Sequence, residues 1–230
     1  GFVRVINWSD TRGSVRISGV PDSGRPTDAI TLTLDAGAAA HFNSRDLEFG
    51  NEAKGLSGGI GHRDGDWRLE LDSDLDVEAL AYVRTDDGFV NGVHNLAVKV
   101  EGIVDVPFFN PASNARQASR LRLVNPGEDD AAVTISGRDD AGAEPYYGTV
   151  RLTVRAGDTR IITARELEAG ARGLRGRFGD GIGKWRLSVA SEQPIEVMSL
   201  LESPDGNLTN LSSPGGGALA PVSGDGPGSN

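Results

Sequence analysis

The chain has 230 residues and no cysteine, and its 33 acidic and 23 basic side chains give it a formal charge of −10. The acidic balance argues against a nucleic-acid partner, because such a partner requires a basic face. The lack of cysteine excludes disulfide and thiolate chemistry, and the sequence has no run of about 18 apolar residues that could span a membrane.

From its first residues the chain alternates apolar and polar side chains. This period of two is typical of half-buried strands, and clusters of Gly, Asp, Ser and Pro separate the runs. In chain order the runs start at Val3, Val15, Ile30, Trp67, Val77, Leu121, Val133, Val150, Trp185 and Ile195. With 32 glycines as well, the sequence predicts an all-β protein made of antiparallel sheets.

Two short helical turns interrupt the strands. Asn43 with Asp46, and Thr163 with Glu166, fit capping boxes, in which each side chain accepts from the other residue's free backbone N–H. Gly50 and Gly170 follow at the place where a left-handed C-cap is expected.

A glycine-rich segment occurs twice at a fixed offset of 118 residues. The identical positions are Gly55/Gly173, Leu56/Leu174, Gly58/Gly176, Gly61/Gly179, Gly65/Gly183, Trp67/Trp185, Arg68/Arg186 and Leu69/Leu187. Such spacing indicates two copies of one unit, and we expect the shared glycines at positive φ or close approaches and both tryptophans in the core. The prediction is two tandem β-sandwiches, Ig-like or jelly-roll-like, at 1–99 and 100–213, with a Gly/Pro/Ser-rich tail at 214–230.

The two glycine-rich segments are 118 residues apart, whereas the two capping boxes are 120 residues apart. This difference places a two-residue insertion in residues 143–148, which we expect to form a hairpin loop.

The copies also differ at their starts, because the apolar segment 103–111 precedes only the second copy. Copy one therefore lacks this lead-in strand and is predicted to have an unpaired sheet edge.

Asp72, Asp74 and Asp76 are the residues most similar to a metal site. Alternate carboxylates suit calcium, which takes oxygen ligands, although the EF-hand glycine and glutamate are missing. The alternative is a polar hairpin turn between Leu71 and Val77, with Pro194 in the same turn of copy two. The histidines at 41, 62 and 94 have no histidine counterpart in copy two and are interpreted as surface or loop residues.

Carbohydrate binding would require exposed, coplanar aromatic rings. The candidates are the aromatic residues without a counterpart in the other copy, namely Trp8, Phe89, Tyr146 and Tyr147. Tyr146 and Tyr147 in the inserted loop are the best pair, and ordinary loop packing is the alternative. Gly55-Leu56-Ser57-Gly58-Gly59 matches G-x-S-x-G, but Arg175 replaces the serine in copy two, so we expect no catalytic nucleophile there.

Several segments resemble a repeat of secreted and surface proteins of Gram-negative bacteria. They are residues 54–59, 65–71, 73–76, 179–187, 197–201 and 208–212. The resemblance covers nearly the whole chain except the tail. It implies a location outside the cell and use as a module, often beside secreted hydrolases, and it supplies no catalytic residues.

The leading hypothesis is a non-catalytic extracellular structural module that binds other protein subunits, such as those of a surface or filamentous assembly. The short apolar run Ala218, Leu219, Ala220, Pro221 and Val222 in the tail would pair with the open edge of a neighbour. The alternative is a carbohydrate-binding module appended to a secreted hydrolase, with a polysaccharide as partner. Apart from calcium, no cofactor is expected.

Overall fold

A computed structural model describes residues 1–22, 27–62, 65–88, 90–93 and 98–212, with side chains of the last range described from residue 102. Within these ranges the chain consists mainly of antiparallel strands, and its two α-helices have six residues each. The predicted all-β class is confirmed. No helix in the described ranges has the length and apolar character needed to cross a bilayer.

Residues 1–93, here called the first half, form two four-stranded sheets. Their elements are β1 (Phe2–Asn7), β2 (Gly13–Pro21), β3 (Ile30–Leu34), β4 (Ala39–Asn43), α1 (Ser44–Phe49), a 3-10 turn (Glu52–Lys54), β5 (Leu56–Ser57), β6 (Trp67–Asp72), β7 (Val77–Arg84) and β8 (Val90–Gly92). One sheet has the strand order β4-β1-β7-β8 and the other β5-β3-β2-β6. Alternate residues of these strands face a common core that contains Val5, Ile17, Ile30, Leu32 and Phe42.

Residues 98–212, the second half, form one seven-stranded sheet. Its elements are β9 (Val98–Phe109), β10 (Ala118–Val124), β11 (Ala131–Asp139), β12 (Val150–Val154), β13 (Thr159–Thr163), α2 (Ala164–Ala169), β14 (Trp185–Glu202) and β15 (Leu208–Asn210). The first part of β14 pairs with β11 and its second part with β10, so one 18-residue strand joins two parts of this sheet, here called its two layers. Their shared core contains Phe109, Leu121, Ile135, Phe178 and Trp185.

Strand pairs recur at the sequence offset of 118. Leu69 lies opposite Gly19 as Leu187 lies opposite Gly137, and the pairing of β7 with β8 matches that of β14 with β15. A duplicated unit would have such pairs. The domain bounds at 1–99 and 100–213 remain a prediction. The tryptophans differ in burial, because Trp185 is 1% exposed as expected of a core residue, whereas Trp67 is only half-buried.

Both predicted capping boxes are present. The side chain of Asn43 accepts from the backbone of Asp46, that of Thr163 accepts from Glu166, and the reciprocal bonds are formed. Gly50 and Gly170 have positive φ of 78° and 84°, but their ψ values of 161° and 156° lie outside the left-handed helical region predicted for them. The eight shared glycines all have positive φ, as predicted.

The connection after β6 differs from the sequence prediction. β6 and β7 belong to different sheets, so residues 73–76 form a bend between sheets and not a hairpin turn. Pro194 lies inside the continuous strand β14, at a register irregularity between Ser191 and Ile195. Residues 143–148 do lie in the hairpin connection between β11 and β12.

Candidate functional site

Strand β14 has a partner on each side along its first part. Leu187 lies opposite Gly137 of β11 and, on the other side, opposite Val106 of β9. Val189 lies between Ile135 and Val104 in the same way. β9 is the lead-in strand with which the second half begins, and it closes this edge of the sheet.

The corresponding strand of the first half, β6, has a partner on one side. Leu69 and Leu71 lie opposite Gly19 and Ile17 of β2. Among the residues that the structure describes, no strand pairs with the other side of β6. We call this side, formed by Trp67–Asp72, the open edge of β6.

The backbone of β2 shows which groups of β6 point toward the open edge. Gly19 donates its N–H to Thr27 Oγ1 at 3.1 Å, and its carbonyl accepts from the Thr27 N–H at 2.8 Å. Gly19 therefore directs both groups away from β6, so Gly19 and Leu69 form a non-hydrogen-bonded pair. Hence the N–H and C=O groups of Leu69, and by alternation those of Trp67 and Leu71, face the open edge.

The side chains of β6 are also less covered than those of β14. Trp185, Leu187 and Val189 are 1–2% exposed, because Val104, Val106 and Phe109 of β9 belong to the same core. In the first half, Trp67, Leu69 and Leu71 pack against the core but remain half-buried. The open edge thus combines backbone groups that no described strand binds with partly uncovered apolar side chains, which are the two requirements for adding a strand.

A glutamate near this edge has different partners in the two halves. Glu168 is buried; it accepts from Trp185 Nε1 at 2.9 Å and from the backbone N–H of Ala112 at 3.1 Å, just after β9. Its counterpart at the offset of 120 is Glu48, whose Oε2 lies 3.2 Å from His62 Nδ1. In the second half, this carboxylate therefore joins the tryptophan to the segment that follows the lead-in strand.

Charged groups flank β6. Arg68 Nη2 lies 2.8 Å from Glu70 Oε1. At the end of β2, Asp22 forms an ion pair with Arg122 of the second half. Burial raises the pKa of Asp22 above its usual value despite the attraction of Arg122, and the nearby Asp66 raises the pKa further.

The predicted calcium ligands are not assembled into a site. Asp72, Asp74 and Asp76 are exposed, and within the described ranges no three His, Asp or Glu side chains are placed to hold a metal ion. Hydroxyl groups hold this bend instead, since Ser73 Oγ donates to the Ser14 carbonyl at 2.9 Å and Ser9 Oγ accepts from the Asp76 N–H at 2.8 Å.

The predicted sugar-binding rings do not form a flat surface. Tyr146 and Tyr147 are 85% and 52% exposed, but their ring planes meet at 87° and not in the expected coplanar arrangement. The Arg177 guanidinium lies 4.1 Å from the centre of the Tyr147 ring, as the loop-packing alternative predicts. Trp8 is 60% exposed and donates from Nε1 to Glu78 at 3.0 Å.

Some predicted residues lie outside the described ranges: Phe89, His94 and the tail run 218–222. His41 and His62 are exposed, and His41 Nε2 lies 2.7 Å from the Tyr82 hydroxyl. Ser57 ends the short strand β5, and no helix follows it before β6 among the described residues. The strand–turn–helix context of a nucleophile elbow is therefore not formed there.

Sequence reasoning identified Trp67 and Leu69 as duplicated residues but assigned the tryptophan to the core and gave neither a binding role. It did not identify Glu48 and Glu168. The sequence did contain a signal for the open edge of β6. The lead-in segment precedes copy two only, so the strand of copy one that corresponds to its partner has no such neighbour. The glutamates were detectable as an identical pair at the capping-box offset of 120.

No family model matches this chain, and no curated protein matches it. Among solved structures, the chain is similar to the Anabaena sensory rhodopsin transducer with a TM-score of 0.33 and 20% sequence identity. The similarity covers 43% of this chain and 86% of that chain. A TM-score of this size carries no argument about the fold or function of this protein.

Proposed function

We propose that this chain is a non-catalytic structural module that acts outside the cell and binds other protein subunits by accepting a strand at the open edge of β6. The observation that carries the proposal is the contrast between the two halves: β9 closes the edge of β14, whereas β6 has no such partner in the described residues. Proteins normally protect exposed strand edges, because unpaired N–H and C=O groups bind other chains.

The chemistry of the open edge supports a protein strand as the ligand. Backbone groups of Trp67, Leu69 and Leu71 give binding energy, and the uncovered parts of their side chains select apolar residues at alternate positions. β9 gives the pattern of such a ligand, with Val104 and Val106 facing the core. When the strand comes from another subunit, each contact joins two molecules head to tail, and repetition of that contact builds a filament.

Carbohydrate binding receives less support. Sugar faces stack on flat aromatic surfaces, and the perpendicular rings of Tyr146 and Tyr147 offer none. Retention of the protein on a polysaccharide in affinity electrophoresis, abolished by Tyr146→Ala, would instead favour the carbohydrate-binding alternative.

A labelled peptide with the sequence of residues 102–110 tests the proposal. We expect saturable binding to the full chain, measured by fluorescence anisotropy, and loss of binding when Asp replaces the peptide residues that correspond to Val104 and Val106. Leu69→Lys, which places an ammonium group where the added strand would pack, should weaken binding at least tenfold, about 1.4 kcal/mol.

Glu70→Gln is the matched control variant, because Glu70 lies between the two leucines of β6 and its side chain is 51% exposed. It should bind the peptide as the unchanged protein does, and circular dichroism should show that both variants are folded. Equal binding of the native and Asp-containing peptides, or no binding of either, would contradict strand addition at this edge.

A further inference from the structure

The tail repeats the sequence pattern of the strand that closes the second half. Both segments have a glycine five positions before a proline, apolar residues at the second and fourth positions after the glycine, and an apolar residue after the proline. The segments are Gly102-Ile103-Val104-Asp105-Val106-Pro107-Phe108 and Gly216-Gly217-Ala218-Leu219-Ala220-Pro221-Val222.

The two segments also hold corresponding places along the chain. β8 lies opposite β7, with Gly92 facing Tyr82, and β15 lies opposite β14, with Asn210 facing Leu200. β9 comes soon after β8 and Gly216 soon after β15, each following the end of one half. Because β9 follows the first half but closes the sheet of the next half, the tail segment is placed to close the sheet of a unit beyond the second half.

The shared residues serve definite purposes in β9. Gly102 has a φ of 116°, which residues with a side chain rarely adopt. Val104 and Val106 are 5% and 3% exposed and cover the core. Pro107 occurs in a strand that pairs with β14 on one side, which is a position where a strand tolerates a residue without an N–H.

At one of the two apolar facing positions, the open edge has a larger side chain where the tail has a smaller one. Leu71 stands where β14 has the smaller Val189, and the tail has Ala218 where β9 has the larger Val104. The sizes of the facing pair are therefore partly compensated, as well-packed cores require.

We propose that residues 216–222 of one molecule bind as an antiparallel strand to the open edge of β6 in a second molecule. In the register of β9 on β14, Ala218 lies opposite Leu71, Leu219 opposite Glu70 and Ala220 opposite Leu69. This inference rests on the proposed function, because it needs β6 to accept a strand, and it identifies the strand and the molecule that provides it.

Because the chain has no cysteine, disulfide cross-linking can test this register. Glu70 and Leu219 correspond to Ser188 and Asp105 of the second half. Those two side chains meet on the outer face of the sheet, where Ser188 Oγ donates to Asp105 at 2.7 Å. Glu70 and Leu219 would form a non-hydrogen-bonded pair with Cβ atoms about 4.5–5.5 Å apart, close enough for a disulfide after small adjustment.

Full-length Glu70→Cys and Leu219→Cys proteins, mixed and oxidised, should give a disulfide-linked dimer on non-reducing electrophoresis. Glu70→Cys with Ala220→Cys is the control, since residue 220 would face the core; we expect about tenfold less dimer. A single chain with both Glu70→Cys and Leu219→Cys should form a ladder of oligomers. A cross-linked monomer would show that the tail binds its own chain and would overturn the proposal, as would equal cross-linking of the control.

Ala220→Asp in the full chain separates this inference from the proposed function. We expect it to abolish assembly in light scattering while the peptide of residues 102–110 still binds. A different result would reject the tail as the added strand but leave the proposed function standing. In that case the peptide binds, the Ala220→Asp protein assembles as before, and Glu70→Cys and Leu219→Cys form no cross-link. If the peptide does not bind either, both are rejected.

Discussion

The carboxylate of Glu168 accepts a 2.9 Å hydrogen bond from the indole Nε1 of Trp185 in the interior of the second half. Its other oxygen accepts from the Ala112 N–H. The same residue pair exists in the first half as Glu48 and Trp67, but there the glutamate contacts the exposed His62. The two halves therefore share residues whose environments differ where β9 is added.

Replacing Glu168 should destabilise the protein far more than replacing Glu48. Glu168→Ala leaves the buried Trp185 Nε1–H without its charged acceptor and also removes the bond from the exposed Ala112 N–H, which should lower the free energy of unfolding by about 1.5–3 kcal/mol. Glu48→Ala breaks a contact with a histidine that is 67% exposed and should cost less than about 1 kcal/mol. Urea denaturation measures both changes, and equal losses would contradict this difference between the halves.

Two helix-ending glycines provide a matched pair for backbone geometry. Gly50 and Gly170 have nearly the same φ and ψ, but a Cβ on Gly50 would lie 2.2 Å from the Gly58 carbonyl oxygen, whereas a Cβ on Gly170 meets no atom closer than 3.7 Å. Gly170→Ala should cost only the backbone strain, about 1–3 kcal/mol. Gly50→Ala should lower the free energy of unfolding clearly more than Gly170→Ala, as measured by thermal or urea denaturation. A similar loss for both variants would show that the Gly58 carbonyl moves away from the new Cβ freely.

The capping box of α1 should make stability depend on pH in the acid range. Burial alone would raise the pKa of Asp46, but hydrogen bonds from Lys54, Asn51 and the Asn43 backbone outweigh burial and lower the pKa to about 2 from its ordinary 3.8. A lowered pKa in the folded state means that the carboxylate stabilises the fold above pH 3.8 and that this stability is lost as the pH falls toward 2.

Asp46→Asn removes this ionisation, so the difference in unfolding free energy between the two proteins should shrink as the pH falls through that range. Urea denaturation at several pH values measures it. A difference that stays constant with pH would show that the charge of Asp46 makes no contribution.

Metal removal should leave the stability unchanged. Since the described residues provide no group of three metal-binding side chains, we expect the same Tm in excess EDTA and in excess calcium. A Tm that rises with calcium, and that no longer rises in the Asp72→Asn, Asp74→Asn variant, would restore the calcium site predicted from the sequence.

The sequence was sufficient for the features that depend on local chemistry. Alternation of apolar residues predicted the strands, reciprocal side chains predicted both capping boxes, and the shared glycines all adopt positive φ. The pairing of strands was less accessible, because it joins residues far apart in the chain. Pro194 was therefore placed in a turn, although it continues a strand that passes from one layer to the other.

Burial at the open edge also could not be predicted from the residues alone. Trp67 and Trp185 are both followed by Arg and Leu, but only Trp185 lies beside the added strand β9, which is about 80 residues earlier in the chain. Likewise, the Tyr147 ring packs against the Arg177 guanidinium, which is 30 positions further along the chain and could not be paired with it from the sequence.

The uninterrupted course of β14 affects how the second half can come apart. One strand of 18 residues is hydrogen-bonded in both layers, so pulling one layer open must bend the backbone that anchors the other, and the two are expected to unfold together. The first half has the four-residue bend 73–76 at this place, which can act as a joint. Hydrogen exchange should therefore show a single level of protection across the second half and separate levels for the two sheets of the first half.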